Sequence, residues 1–218
     1  CYLSFGTSAE PLVVKVALSP VSVDNARQNM EAENPGWDFE AIQRQAVTAW
    51  EKELANIRID GSDDQKAIFY TGLYHAYIQP NTVSDVNGDY TRSDFSTDRL
   101  PQGDTQYSTF SLWDTFRACN PLYALLKPER VGDMVKSMLR QYDVYGYLPI
   151  WQLWGSENYC MIGNHAIPVV VDAALKGLPG VDAEKVYEAV KGTSMRDHLQ
   201  SPWSVLEKYG YLPETRQR

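Results

Sequence analysis

Two hydrophobic periods alternate along the chain. Over residues 1 to about 24, CYLSFGTSAEPLVVKVALSPVSVD, the side chains of Leu12, Val14 and Val16 alternate with Val13, Lys15 and Ala17. A period of two, punctuated by Gly, Pro and Ser, predicts β-strands. Two short strands do not make a sheet domain by themselves, so this stretch reads as the tail of one. After Pro35-Gly36 the period changes. In WDFEAIQRQAVTAWEKELANI, the residues Phe39, Ile42, Ala46, Ala49, Trp50 and Leu54 predict an amphipathic helix with Asp38 near its start. A turn at Asp60-Gly61-Ser62 leads to a second helix, DQKAIFYTGLYHAYIQP, which stops at Pro80.

Residues 81 to 108 read as a long polar connection. Loops of this length in compact domains are usually functional or disordered. Helical periodicity resumes in TFSLWDTFRACNPLYALLK and PERVGDMVKSMLRQYDVYG, then in HAIPVVVDAALKG, AEKVYEAVKG and SPWSVLEKYGY. The predicted helices fall in pairs, with short links at one end and longer loops at the other. That is the pattern of helical hairpins stacked as a bundle, a solenoid or a toroid. No repeat of fixed period occurs, which counts against a regular solenoid. A toroid brings its long loops together at the axis, and that geometry fits.

Composition changes this picture little. The chain has 218 residues, 44% hydrophobic and 22% charged, as expected of a globular protein with a core. Aromatic residues make up 12%, with 14 Tyr and 6 Trp, which suits either a Tyr-rich core or a cleft for amphipathic ligands. The net charge is −8 and Lys and Arg are scattered, so nucleic acid is not expected as a partner. No apolar run is long enough for a membrane span, and no signal peptide is visible. Cys1, Cys119 and Cys160 are odd in number and lack CxxC spacing, so they indicate neither a zinc site nor a disulfide framework. A first-residue Cys raises the possibility of a lipid anchor, but the strand-like YLSFGTS after it is not a tether. The chain reads as an internal piece of a longer protein.

Three stretches carry candidate chemistry. In FSLWDTFRACNP, Asp114 and Arg117 are three apart, which on a helix puts them on one face beside Phe110 and Trp113. A carboxylate, a guanidinium and an indole together can hold a sugar: Asp accepts from hydroxyls, Arg donates, and Trp stacks on the apolar sugar face. The plainer alternative is an intrahelical ion pair. In GYLPIWQLWGSENYCMIGNHA, Glu157 lies among Trp151, Trp154 and Tyr159, and His165 stands at a helix start. Glu157 can serve in acid–base work, orient a ligand, or stabilise a helix N-terminus. His165 is a ligand contact or a hydrogen-bonded core residue. The third stretch, SDVNGDY, spaces Asp85, Asn87 and Asp89 like the opening of a calcium loop. Its Gly falls at the fourth position and Ser96 stands at the twelfth, so an Asn-Gly turn accounts for it and no metal site is expected. His75 reads as structural. No GxSxG, HExxH, P-loop or GxGxxG occurs.

The combination YSTFSLWDTFRACNPLY and GYLPIWQLWGSENYCMIGNHAIPVVVDAALKG, with the strand-to-helix passage KVALSPVSVDNARQNMEAENPGWDFE, resembles the glycoside hydrolase family 92 α-mannosidases. The resemblance runs from about residue 12 to 178 and implies a mainly α fold. It implies that residues 1–35 are the tail and linker of an N-terminal β-sandwich, and 36–218 the first part of an (α/α)6 barrel catalytic domain. The implied activity is exo-acting hydrolysis of α-mannosides with inversion, assisted by calcium, in a secreted or periplasmic bacterial enzyme. In such a mechanism one carboxylic acid protonates the leaving oxygen and a second carboxylate activates water. The acid, the base and most calcium ligands are expected beyond Arg218, on the remainder of the same polypeptide, with Glu157 and Asp114 as fallback candidates. This segment is expected to supply the sugar wall: Trp113, Asp114, Arg117, Trp154, Glu157 and His165. Two other readings stand beside it, a non-catalytic carbohydrate-binding half barrel and another (α/α)-barrel hydrolase, the latter disfavoured by the WDTFR and GSENYCMIG motifs.

Overall fold

The computed structural model describes residues 2–7, 11–198 and 201–213; Cys1 and Arg218 lie outside the described residues. The chain is mainly α, with nine helices and seven short strands among the described residues.

Helix α1 (Val23–Glu33) opens on Ser22, whose side chain accepts from the Asn25 N–H. Helix α2 (Phe39–Leu54) opens on Asp38 in the same way, and α3 (Asp63–Ala76) on a Ser62/Gln65 capping box. Each cap satisfies amides that the first turn leaves without partners. α2 and α3 form a hairpin in which Trp50 packs on Tyr74, ring centroids 4.5 Å apart. No residue of α2 is fully buried: Ile42, Trp50 and Leu54 are half-buried, and Phe39 and Val47 are exposed.

The polar connection is not structureless. Its ends pair as β1 (Asn81–Thr82) and β4 (Tyr107–Ser108), and its middle forms an antiparallel hairpin of β2 (Asp89–Thr91) and β3 (Thr97–Arg99). The expected turn forms at Asp85 to Gly88, where the Gly88 N–H donates to the Asp85 carbonyl at 2.9 Å.

The stretch 109–127 does not run as one helix. Thr109 takes a positive φ of 67°, and the chain leaves the β1–β4 pair there to begin β5 (Phe110–Ser111). Helix α4 (Leu112–Thr115) is a single turn, and α5 (Cys119–Leu126) starts afresh. Pro121 sits in the first turn of α5, where its missing N–H goes unneeded.

Helix α6 (Pro128–Tyr145) is the centre of the core. Val131, Met134, Val135, Met138 and Leu139 recur at three and four and are all buried. They pack with Leu112, Tyr123, Leu148, Val170, Val186 and Ala189 from α4, α5, α7 (Ala166–Leu175), α8 (Ala183–Ser194) and the segment after α6. Each Val, Leu or Met among them contributes about 1.5–3 kcal/mol when fully removed from water. Between α6 and α7 lies the hairpin of β6 (Trp151–Leu153) and β7 (Ser156–Glu157), and α9 (Trp203–Tyr209) follows α8.

The alternation near the start does not produce strands among residues 2–7 and 11–22. A strand exists only by pairing, and no other described segment pairs with this one. Lys15 instead donates to the carbonyls of Asn34 (2.6 Å) and Gly36 (3.1 Å) and lies over the Trp37 ring, docking the segment at the end of α1. Helix α1 itself lies within the strand-to-helix passage, ahead of the first helix that the periodicity predicts.

Candidate functional site

A three-stranded sheet, β5–β6–β7, joins the two motif-bearing stretches. Phe110 pairs with Gln152 and Ser111 with Trp151; on the other side Gln152 pairs with Glu157 and Leu153 with Ser156. The short helix α4 rises directly from β5, so Trp113 and Asp114 stand beside the β6–β7 hairpin. Asp114 accepts from the Ser111 hydroxyl through Oδ2. Thr115 braces the turn: its Oγ1 donates to the Ser111 carbonyl at 3.0 Å and accepts from Asn120 at 2.9 Å.

Because α4 ends at Thr115, Arg117 lies in the turn beyond it, and Asp114 and Arg117 do not share one helical face. Among the described residues no ion pair joins them. The Arg117 guanidinium sits over the Phe116 ring, 4.9 Å from its centroid. Phe116 in turn contacts the His165 ring at 4.6 Å, and Trp113 approaches His165 edge-on at 6.0 Å. His165 occupies the N-cap position of α7, and its Nδ1 is buried with no hydrogen-bond partner among the described residues. Gly163, with φ of 102°, permits this placement: a Cβ there would lie 2.4 Å from the imidazole. The structure thus gathers Trp113, Arg117 and His165 around Phe116, with Asp114 on the adjoining turn.

Glu157 is held differently. Its Oε2 accepts from the Ile150 N–H (2.6 Å) and Gln141 Nε2 (3.1 Å), and its Oε1 from the N–H groups of Trp151 (2.9 Å), Asn158 (3.1 Å) and Tyr159 (3.0 Å). Behind Gln141, Gln152 donates to its Oε1 at 2.9 Å; both amides are buried. Beside this cage Tyr147 bonds to the Tyr159 hydroxyl and stacks on His198 at 4.6 Å. Burial raises the Tyr147 phenol above its ordinary value and lowers His198 below its own.

Trp154 goes elsewhere. It sits at the hairpin tip with φ of 53° and is 65% exposed. It lines a separate groove of about 580 Å3 with Val16 to Pro20, Asn29, Met30 and Asp85, which none of the other five predicted site residues lines. Asp85, at the base of that groove, is buried and accepts from Ser19 Oγ (2.7 Å), Asn25 Nδ2 (2.8 Å) and Asn29 Nδ2 (2.7 Å). Among the described residues no group of His, Cys, Asp or Glu is arranged to hold a metal ion.

Sequence reasoning did not single out Ser111, Phe116, Gln141 or Gln152. Gln141 carried a signal: it stands three residues after Met138 and seven after Met134, on the stripe that is apolar in α6 apart from Ser137. Gln152 and Ser111 carried none.

Comparison with known proteins supplies the wider frame. The sequence model described as the Glycosyl hydrolase family 92 catalytic domain matches residues 25–218. A family GH92 α-mannosidase from Bacteroides thetaiotaomicron superposes with a TM-score of 0.85 at 37% identity, covering 91% of this chain and 27% of that one. A family GH92 inverting mannosidase from the same organism gives 0.81 at 29% identity, covering 90% and 28%. An uncharacterized secreted glycosidase of Arthroderma benhamiae is 27% identical over 222 residues, 97% of this chain and 24% of its own length. The chain therefore spans about a quarter of the length of these relatives. Its helical hairpins are part of an (α/α)6 barrel, the catalytic architecture of those structures. The chain belongs to glycosyl hydrolase family 92.

Proposed function

We propose that this chain is a segment of an exo-acting α-mannosidase that removes terminal α-linked mannose from glycans with inversion, and that the remainder of the same polypeptide completes the site. The observation that carries this is the pairing of Ser111 with Trp151, which sets the Trp113–Asp114 turn beside the motif that ends in His165. Trp113, 41% exposed, offers its face to a sugar ring. Asp114 keeps Oδ1 for a mannose hydroxyl, and Arg117 and His165 supply donors on the same side. Trp154, on its own groove, meets a more distant part of the glycan. The relatives support the substrate class: one is an α-mannosidase, solved also in complex with mannoimidazole, and another an inverting mannosidase.

In this reading residues 1–35 are the tail and linker of an N-terminal β-sandwich domain, and 36–218 are the first part of the barrel. The acid and base lie outside this segment. Calcium, which the family resemblance implies, finds no fitting donor set among the described residues, because the carboxylate of Asp85 is already taken by three side-chain donors. Its ligands belong to the remainder of the polypeptide. A secreted or periplasmic location agrees with the description of the fungal relative, and no helix among the described residues is long and apolar enough to cross a membrane.

The test is kinetic. In the full-length enzyme Asp114→Ala lowers kcat/KM on α-1,2-mannobiose at least about tenfold, or ~1.4 kcal/mol of transition-state binding; wild-type activity refutes the sugar wall. The chain alone, shown to be folded by circular dichroism, releases no mannose with or without calcium. Release would place the acid and base within these residues and make Asp114 and Glu157 the pair.

A further inference from the structure

A carboxylate offers about four lone-pair positions on its two oxygens. Glu157 fills them with five N–H donors, four from the backbone and one from Gln141. No acceptor site remains for a sugar hydroxyl. The donors have a further property in common: Ile150 and Trp151 enter β6, while Asn158 and Tyr159 leave β7. The single carboxylate therefore clamps both ends of the hairpin. Gln141 anchors it from helix α6, and Gln152, inside the hairpin, locks Gln141 in turn.

On the other side the clamp reaches the proposed sugar wall. Trp151, whose N–H Glu157 holds, is the pairing partner of Ser111, and the Ser111 hydroxyl donates to Asp114. The geometry points to Glu157 as a positioning residue: through Trp151 and Ser111 it sets the orientation of Asp114, and it neither touches the sugar nor transfers a proton. This rests on the reading above that Asp114 contacts mannose. A glutamine would keep the shape but present an NH2 group to N–H donors, so the charge and both acceptor oxygens are what the position requires.

The test uses the full-length enzyme with α-1,2-mannobiose and an activated aryl α-mannoside. Glu157→Gln lowers kcat/KM about tenfold by the same factor on both substrates, since no proton transfer to the leaving group is lost. Ser111→Ala, which leaves the carboxylate cage intact and removes only the last link, lowers it about three- to tenfold. In an Asp114→Ala background neither substitution lowers activity further, because residues acting through one another are not additive. Selective rescue of Glu157→Gln by the aryl substrate would make Glu157 the acid and overturn the inference. Losses that multiply with that of Asp114→Ala, or wild-type activity of Ser111→Ala beside an impaired Asp114→Ala, would overturn it too. Should Glu157→Gln fail to fold, Ser111→Ala alone and in the Asp114→Ala background decides. Full activity of Asp114→Ala itself removes the sugar-wall reading, a result separate from these.

Discussion

Asn29 donates from Nδ2 to Asp85 at 2.7 Å while its own Oδ1 accepts the Val86 N–H at 3.0 Å, so one amide ties helix α1 to the turn 56 residues away. With Ser19 and Asn25 completing the set, the Asp85 side chain is hydrogen-bonded by three uncharged side chains. Replacing it by Ala takes one acceptor from each of these three donors, although Asn25 Nδ2 keeps Asp89 and Asn29 Nδ2 keeps the Leu18 carbonyl. Each such loss costs about 1–3 kcal/mol, so Asp85→Ala destabilises the chain by about 3 kcal/mol and Asn29→Ala by about 2. Urea denaturation followed by Trp fluorescence reads both; a shift below ~0.5 kcal/mol for Asp85→Ala would show the network to be ornamental.

Asp89 supplies a pH dependence. The Arg99 guanidinium at 2.6 Å, and then Asn25, hold its carboxyl down from 3.8 to about 2. A folded value below the unfolded one stabilises the fold above the unfolded value, and that contribution is lost as pH falls from about 4 to 2. Asp89→Asn removes the contribution, so the variant's urea midpoint declines less than the wild type's across that window. Asp94, held low by the Ser96 hydroxyl, acts in the same direction, so the slope shrinks without vanishing.

Gly132 reverses an ordinary expectation. In a helix interior Ala is favoured over Gly by about 1 kcal/mol. Here a Cβ would lie 2.0 Å from the Pro179 carbonyl oxygen, a backbone atom that cannot swing aside. Gly132→Ala therefore destabilises, by up to about 2 kcal/mol after the propensity gain is subtracted from an overpacking cost of ~1–3. A thermal melt decides, since a raised Tm would mean that the α6–Pro179 approach relaxes freely.

Trp154 and Gly155 form the two-residue tip of the β6–β7 hairpin with φ of 53° and 90°, a turn that favours Asn-Gly. Trp in this conformation costs about 1 kcal/mol, and its exposed ring regains little by burial. Trp154→Asn raises stability by about 0.5–1 kcal/mol and lowers kcat/KM on longer mannosides. A variant that is both more stable and fully active would remove Trp154 from the glycan path.

Much of the helical framework was legible. The periods over 39–54, 63–76 and 128–145, with Asp38, Ser62 and Gly146 at their ends, depend on contacts three and four residues apart, and local spacing records those. The helix over 23–33 was missed although Ser22 and Asp24 mark its start, because the preceding alternation drew the boundary too late. The break in the WDTFR stretch was not legible. Its apolar positions suit a helix, and only pairing with β6, forty residues on, pulls Phe110 and Ser111 into a strand.

The sequence by itself determined most of the helical framework, the two motifs and the family, because periodicity, caps and motif chemistry are properties of neighbours along the chain. Tertiary structure alone decided which groups each site residue faces. It put Trp113 and His165 together, sent Trp154 to another groove and surrounded Glu157 with N–H donors from two loop segments and α6. A carboxylate in a sequence states only that it can accept hydrogen bonds; whether a sugar or the backbone supplies the donors depends on which distant segments the core brings to it.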